Sequence, residues 1–335
     1  MLRVRPGQQT ARLNQVDQYT WRPIDAGQVP AWSRLLVAIQ AADQLDDVLT
    51  SEDDIAEELD DPACDYGRGS AAVYDGEVMV GYGVLAARSA ADPVHVMHME
   101  GGVHPSYRGQ GIGTRLLDWA ERAAMPLHSE RHRGRPLSIE GRCPARNTSA
   151  VALLAERGYQ PARWFHFMTC DLSATLAPCP EPAGVQIVSF TPERSEDARQ
   201  IRNEAFRDHW GSTETAAADW EHFIGYQAFR SAFSLLAYEG AEPLGVLVGH
   251  EYDSYTLATG RRELYVAVVA TRQAARKRGI ASALLVRALT LARDDGAVAA
   301  SLHVNADSPT GAFGFYQRAG FTIADTTIAQ VKSVS

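Results

Sequence analysis

The chain has 335 residues, 45% of them hydrophobic, and 41 acidic against 32 basic side chains give a net charge of −9. That is a globular composition of a length suited to two domains, and the acidic excess argues against a nucleic-acid partner, whose phosphates reward a basic face. The four cysteines, at 64, 143, 170 and 179, show no CxxC pairing and no zinc spacing with histidine, and no apolar run reaches membrane-spanning length, so neither a metal, a disulfide framework nor a membrane span is expected and a cytoplasmic location fits.

Residues 1–20 are polar with scattered arginine and lack a signal-peptide core. A strand is predicted over 19–22, an amphipathic helix over 30–44, a hairpin over 70–75 and 78–88 turning at Asp75-Gly76, and a strand over 95–103. Acidic runs at Asp46-Asp47, 52–54 and 57–61 carry much of the negative excess. Arg108-Gly109-Gln110-Gly111-Ile112-Gly113 comes next, followed by a helix over 114–124, a polar surface loop over 128–136, a strand over 137–141, a helix over 149–157 and a strand over 164–171. Residues 174–184, rich in proline, read as a linker between a first domain over 1–173 and a second over 185–335. The second half repeats the order: a strand over 185–189, helices over 195–206 and 219–229, strands over 233–238, 243–252 and 263–270, then Arg276-Lys277-Arg278-Gly279-Ile280-Ala281, a helix over 282–294, a strand over 299–304 and a helix over 311–319. The expected class is a mixed α/β sheet, present twice.

Both glycine motifs read R-x-x-G-x-[G/A] between a strand and a helix. A helix N-terminus leaves backbone N–H groups unpaired, glycine lets several of them point at one anion, and arginine adds charge, so the pattern predicts a phosphate cradle. A glycine pair alone marks an ordinary turn; recurrence in one context carries the weight. Beyond each cradle the endings agree as well, Glu156-Arg157-Gly158-Tyr159 and Arg318-Ala319-Gly320-Phe321, at 50 positions after Arg108 and 44 after Arg276. The six extra positions are assigned to the 128–136 loop, and the chain is read as two copies of one domain.

On these residues the chain resembles the GNAT superfamily of acyl-CoA-dependent N-acetyltransferases, once per half. The tandem arrangement is similar to the mycothiol synthase-like group, in which a segment like Ala205-Phe206-Arg207-Asp208-His209-Trp210-Gly211 recurs. The resemblance implies acetyl-CoA as acyl donor, no metal, and a small-molecule primary amine as acceptor. It implies that Arg276, Lys277, Arg278, Gly279, Ile280, Ala281 and Ser282, with Asn305, hold the pyrophosphate, while the strand edge at Val268, Val269 and Ala270 pairs with the pantetheine arm. Val103, Arg108, Gly109, Gln110, Gly111, Ile112, Gly113 and Thr114 form the corresponding nucleotide-shaped site of the first half.

Tyr316, four positions before Gly320, matches the family's proton-donating tyrosine, whereas Leu154 stands four before Gly158, so the first domain is expected to be non-catalytic. Glu263 is the candidate base, because tandem relatives carry a glutamate there and alternation places it on one face with Tyr265 and Ala267. The other reading is a solvated strand-end carboxylate beside Arg261 and Arg262. Asp208, His209 and Trp210 are candidates for the acceptor wall, against a structural reading in which Trp210 and Trp220 are core. Two further classes stay open: an acyl-CoA-binding regulatory or structural module without turnover, and a tandem aminoacyl transferase, a type that lacks an intact CoA cradle.

Overall fold

The computed structural model describes residues 18–45, 51–87, 93–174, 178–207, 214–308 and 311–334. The chain folds into two compact units, one of Met1–Ala162 with Ile328–Ser335 and one of Arg163–Thr327.

The first unit runs β1 (Thr20–Arg22), α1 (Val29–Asp43), α2 (Glu52–Glu58), the single turn α3 (Tyr66–Gly69), β2 (Ser70–Asp75), β3 (Val78–Ala87), β4 (His95–Val103), α4 (Ile112–Arg131), β5 (Leu137–Pro144) and α5 (Thr148–Glu156). Its strands lie in the order β1 to β5, antiparallel except for the parallel pair β4–β5. Proline at the start of α1 presets the first turn, and Trp32, Leu35, Leu36 and Ile39, spaced as one helical face, bury against Ala72, Tyr74, Tyr82 and Val84 of one sheet face. On the other face Leu117, Ala120, Ala124 and Leu127 of α4 close over Leu85, Met97 and Ile139.

The second unit holds most of β6 (Gln160–Asp171), then β7 (Gln186–Ser189), α6 (Ser195–Phe206), α7 (Ala217–Gly225), β8 (Leu235–Glu239), β9 (Glu242–His250), α8 (Asp253–Thr259), β10 (Glu263–Thr271), α9 (Ile280–Asp294), β11 (Ala299–Asn305), α10 (Ala312–Arg318) and the start of β12 (Thr322–Val334). Its strand order is β7-β8-β9-β10-β11-β6-β12, with β10 and β11 parallel. Leu284, Leu285, Ala288, Leu289 and Ala292 give α9 its apolar stripe against Leu247, Leu264, Val266, Ala300 and Leu302.

The units do not follow the sequence halves. The strand predicted over 164–171 lies in the second unit, in antiparallel register with β11 from Phe165↔Asn305 to Asp171↔Ala299. The last residues of the chain return to the first unit, where Gln330 is fully buried with Nε2 3.8 Å from Cys143 Sγ, and Lys332 Nζ pairs with Glu121 at 2.7 Å. The unit boundaries at 162/163 and 327/328 are thus distinct from the 174–184 linker.

Three further elements differ from expectation. The polar stretch from His128 is not a loop: α4 continues through Pro126 to Arg131, 20 residues against 15 in α9, so most of the extra length is helix. The acidic run 52–58 is helical, its first-turn acids facing the positive helix end and Ser51 Oγ accepting from Asp54 N–H. The short helix α8 also had no periodic signature.

Candidate active site

The two cradles share one backbone. Gly109 and Gly111 take φ of 75° and 87°, and Lys277 and Gly279 take 63° and 83°, so left-handed residues alternate through both turns although one copy has lysine where the other has glycine. Each helix begins at a left-handed glycine with no side-chain cap, and the first intrahelical bonds run from Arg115 N–H to Gly111 O and from Ala283 N–H to Gly279 O. The N–H groups of residues 112–114 and 280–282 therefore have no intrahelical acceptor, and the concave turn ahead of them fits an anion. Ile112 and Ile280, each 1% exposed, anchor the turns. A Cβ on Gly81 would stand 3.0 Å from Ile112 Cγ2 and one on Gly245 2.8 Å from Ile280 Cγ2, so each isoleucine needs a glycine on the strand beneath it.

Most of the arginines of the two turns are bonded within the protein. Arg108 makes a bidentate pair with Asp43 at 2.7 and 2.9 Å and donates from Nε to Val103 O. Arg276 donates to Ala205 O at 3.0 Å, so in both units the motif arginine ties down the C-terminal end of the preceding long helix. Arg272 pairs with Glu204 and Arg278 with Glu239, the latter an exposed pair of small energetic weight. Gln110 accepts from Tyr19 Oη and donates to Ser106 O. Lys277, exposed in its strained turn, makes no ion pair among the described residues, and Arg276 is bonded only to a backbone carbonyl. Thr114 and Ser282 are half-buried in the first turns. Asn305 ends β11 and accepts from Asp307 N–H, a local turn bond.

Ahead of the second cradle β10 and β11 part company. Their parallel pairing covers Glu263↔Ala299, Leu264↔Ala300 and Tyr265↔Ser301, and a bulge between Val266 and Val268 shifts β10 relative to β9. Among the described residues no strand pairs with the β11-side edge of β10 beyond Tyr265, which leaves the backbone at Val268, Val269 and Ala270 open on that side. The bulge also removes Ala267 from the simple alternation expected with Glu263 and Tyr265. In the first unit β4 and β5 pair two residues further, to Met99↔Gly141, and β4 runs against β3 without a register shift.

Tyr316 lies in α10, 8% exposed, with its ring on Phe315 and Phe321. Burial, and then the nearby Tyr265, push its phenol well above the ordinary value, so it is neutral at pH 7. Leu154, also 8% exposed, holds the same place in α5. The Glu263 carboxylate accepts from the buried Ser301 hydroxyl, so it is not a purely solvated strand end. Its counterpart in the first unit is His95, fully buried, with Nδ1 2.9 Å from His128 Nδ1 and pushed down to about 4 by burial and by His132, His128 and Arg131.

Sequence reasoning missed Ser301, His303 and His250. Tyr265 Oη lies 3.1 Å from His303 Nδ1, and His250, cross-strand from Tyr265 and 2% exposed, has neither ring nitrogen hydrogen-bonded among the described residues. Polar residues scattered in apolar strands carry no periodic signal, and only their neighbours, Glu263 for Ser301 and Tyr265 for His303 and His250, mark them. Trp220 is core, 3% exposed. Asp208, His209 and Trp210 lie outside the described residues. Among the described residues no group of three or more His, Cys, Asp or Glu is placed to hold a metal ion, and no helix is long and apolar enough to cross a membrane.

The profile of the acetyltransferase (GNAT) family matches residues 34–159 and again 195–321. A mycothiol acetyltransferase of Salinispora arenicola is 32% identical over 73% of this chain and 75% of its own. A GCN5-related N-acetyltransferase from Sphaerobacter thermophilus superposes with a TM-score of 0.77 at 26% identity, over 95% of this chain and 96% of its own. A tandem GNAT protein from the clavulanic acid biosynthesis pathway shares the fold, with a TM-score of 0.69 at 15% identity over 95% and 99% of the two chains.

Proposed function

The chain belongs to the acetyltransferase (GNAT) family, as a tandem N-acetyltransferase of the mycothiol synthase-like group, and we propose that its second unit alone moves the acetyl group, from acetyl-CoA to the primary amine of a small molecule. The observation that carries this is the buried phenol of Tyr316 where the first unit has Leu154, together with the parting of β10 from β11 after Tyr265, two residues earlier than β4 parts from β5.

Acetyl-CoA supplies an activated thioester, so the protein needs to bind, align and move protons. The uncapped N–H groups of residues 280–282 and the turn before them fit its pyrophosphate, with Lys277 adding charge, and the open edge of Val268, Val269 and Ala270 fits a pantetheine arm. Glu263, oriented by Ser301, takes a proton from the attacking amine. Tyr316 protonates the departing sulfur; its raised pKa suits a donor that must stay protonated until a thiolate of ordinary pKa near ~8.5 develops. The first unit keeps the cradle, lacks the phenol and has His95 in the place of Glu263, so we assign it nucleotide binding or support without turnover.

The test is release of CoA thiol from acetyl-CoA with a panel of primary amines, starting with the amine whose acetylation yields mycothiol, as the relatives' name suggests. Tyr316→Phe is expected to lose roughly 100-fold in kcat, a usual share for general acid catalysis. Unchanged turnover would remove the tyrosine from the mechanism, and nucleotide binding without thiol release to any amine would leave the module reading.

A further inference from the structure

We propose that Tyr265 and His303 form a proton relay from the acceptor amine to water, with Tyr265 touching the amine and His303 acting through it. The proposal rests on the reading that the second unit performs the transfer.

Tyr265 is the last residue of β10 that pairs with β11, opposite Ser301, and His303 stands two residues further along β11. Their side chains meet nevertheless, Oη to Nδ1 at 3.1 Å with ring centres 6.1 Å apart, so this hydrogen bond spans the mouth of the opening between the strands. Tyr265 is half-buried, shares the sheet face of Glu263, and lies near enough to Tyr316 for its charge to bear on that phenol. His303 is exposed, with its ring 5.0 Å from that of Phe167. A half-buried phenol bonded to an exposed imidazole at the point where two strands separate is a proton path with an inner and an outer end.

The stoichiometry calls for such a path. An amine arrives at pH 7 mainly as an ammonium and loses two protons on becoming an amide, whereas the released thiol accounts for one. In the relay, an ammonium N–H bond breaks toward Tyr265 Oη as the phenol proton passes to Nδ1 of the His303 tautomer that carries its hydrogen on Nε2, and His303 then gives its Nε2 proton to water. Exchange of the exposed ring with water, Nε2 gaining a proton as Nδ1 loses one, restores the starting tautomer. The freed nitrogen lone pair forms the C–N bond, the C–S bond breaks, and sulfur takes the Tyr316 proton. The second nitrogen proton goes to Glu263 and from there restores Tyr316. One proton leaves to solvent and no oxidant or reductant is involved.

The test uses the full chain with acetyl-CoA and the amine precursor of mycothiol as acceptor probe. His303→Ala is expected to lower kcat roughly 30- to 100-fold with little change in the KM for acetyl-CoA, and added imidazole to restore most of it. Tyr265→Phe should cost a similar factor, and the double variant no more than the worse single one, as for two members of one path. A kcat within twofold of the parent for His303→Ala, no rescue, or multiplying losses would overturn the relay. A parent that releases no thiol with any amine defeats the acetyltransfer reading instead. The relay is then still decided by the 15N resonance of His303 Nδ1, which must shift in Tyr265→Phe; an unmoved resonance overturns it.

Discussion

Lys277→Gly separates the stability of the cradle from its affinity. Lys277 has a φ of 63°, a region that costs a residue with a Cβ roughly 1–2 kcal/mol, and the first unit has Gly109 in the equivalent place. Glycine relieves that strain but frees the unfolded chain by about 0.5–1 kcal/mol, so the variant is expected to be more stable by up to ~1.5 kcal/mol. Affinity moves the other way. One positive charge about 4 Å from a phosphate in water contributes about 1 kcal/mol, so the Kd for CoA should rise about fivefold at low salt, and by less at high salt. Urea denaturation reads the first quantity, and calorimetric titration of CoA at two ionic strengths reads the second. A Kd for CoA that does not move at low salt would show that the strained lysine does not serve a phosphate, and the account of this turn would have to be abandoned.

Other expectations concern neighbouring features. Burial and Arg230 push His250 down to about 4 from the ordinary value of 6.5. Its contribution is therefore complete above pH ~6.5 and is lost as pH falls toward 4, by about 2 kcal/mol between pH 7 and 5. His95 acts in the same direction, and His250→Phe should flatten the decline in urea midpoint; an identical slope would exclude His250 as its source. Leu154→Tyr in a Tyr316→Phe background should restore no thiol release, because the first-unit strands stay paired to Met99↔Gly141. Recovery of turnover would show that the side chain alone had silenced that copy. Arg276→Met should lower stability by about 1 kcal/mol through loss of its bond to Ala205 O while changing the Kd for CoA by less than twofold. A tenfold weaker Kd would place the guanidinium on the phosphates.

The cradles were legible because their chemistry is local: a strand, a turn with obligatory left-handed positions and a helix occupy consecutive residues, and glycine or a basic residue marks each. The roles of Arg108 and Arg276 were not, since Asp43 and Ala205 stand 65 and 71 residues away from them. The opening between β10 and β11 escaped notice for a similar reason. Periodicity tells which face of a strand is buried, whereas the length over which two parallel strands stay paired depends on residues from both. His303 and Ser301 acquire meaning only from what the register sets beside them. The helical turns at 128–131 were hidden by a proline and a run of polar side chains, and the 322–334 strand carries no sign of which sheet receives it.

The placement of β6 and β12 makes the two copies hard to separate. A fragment ending in the 174–184 segment would carry Arg163–Asp171 without the β11 partner that orders it, and would leave β5 without the closing stretch from Ile328 onward. The complementary fragment would have the converse defects, and each would expose a bare strand edge of the kind that aggregates. Deletion of either copy therefore removes a piece of the other's sheet, so each copy is needed for the strand it contributes whether or not it turns over.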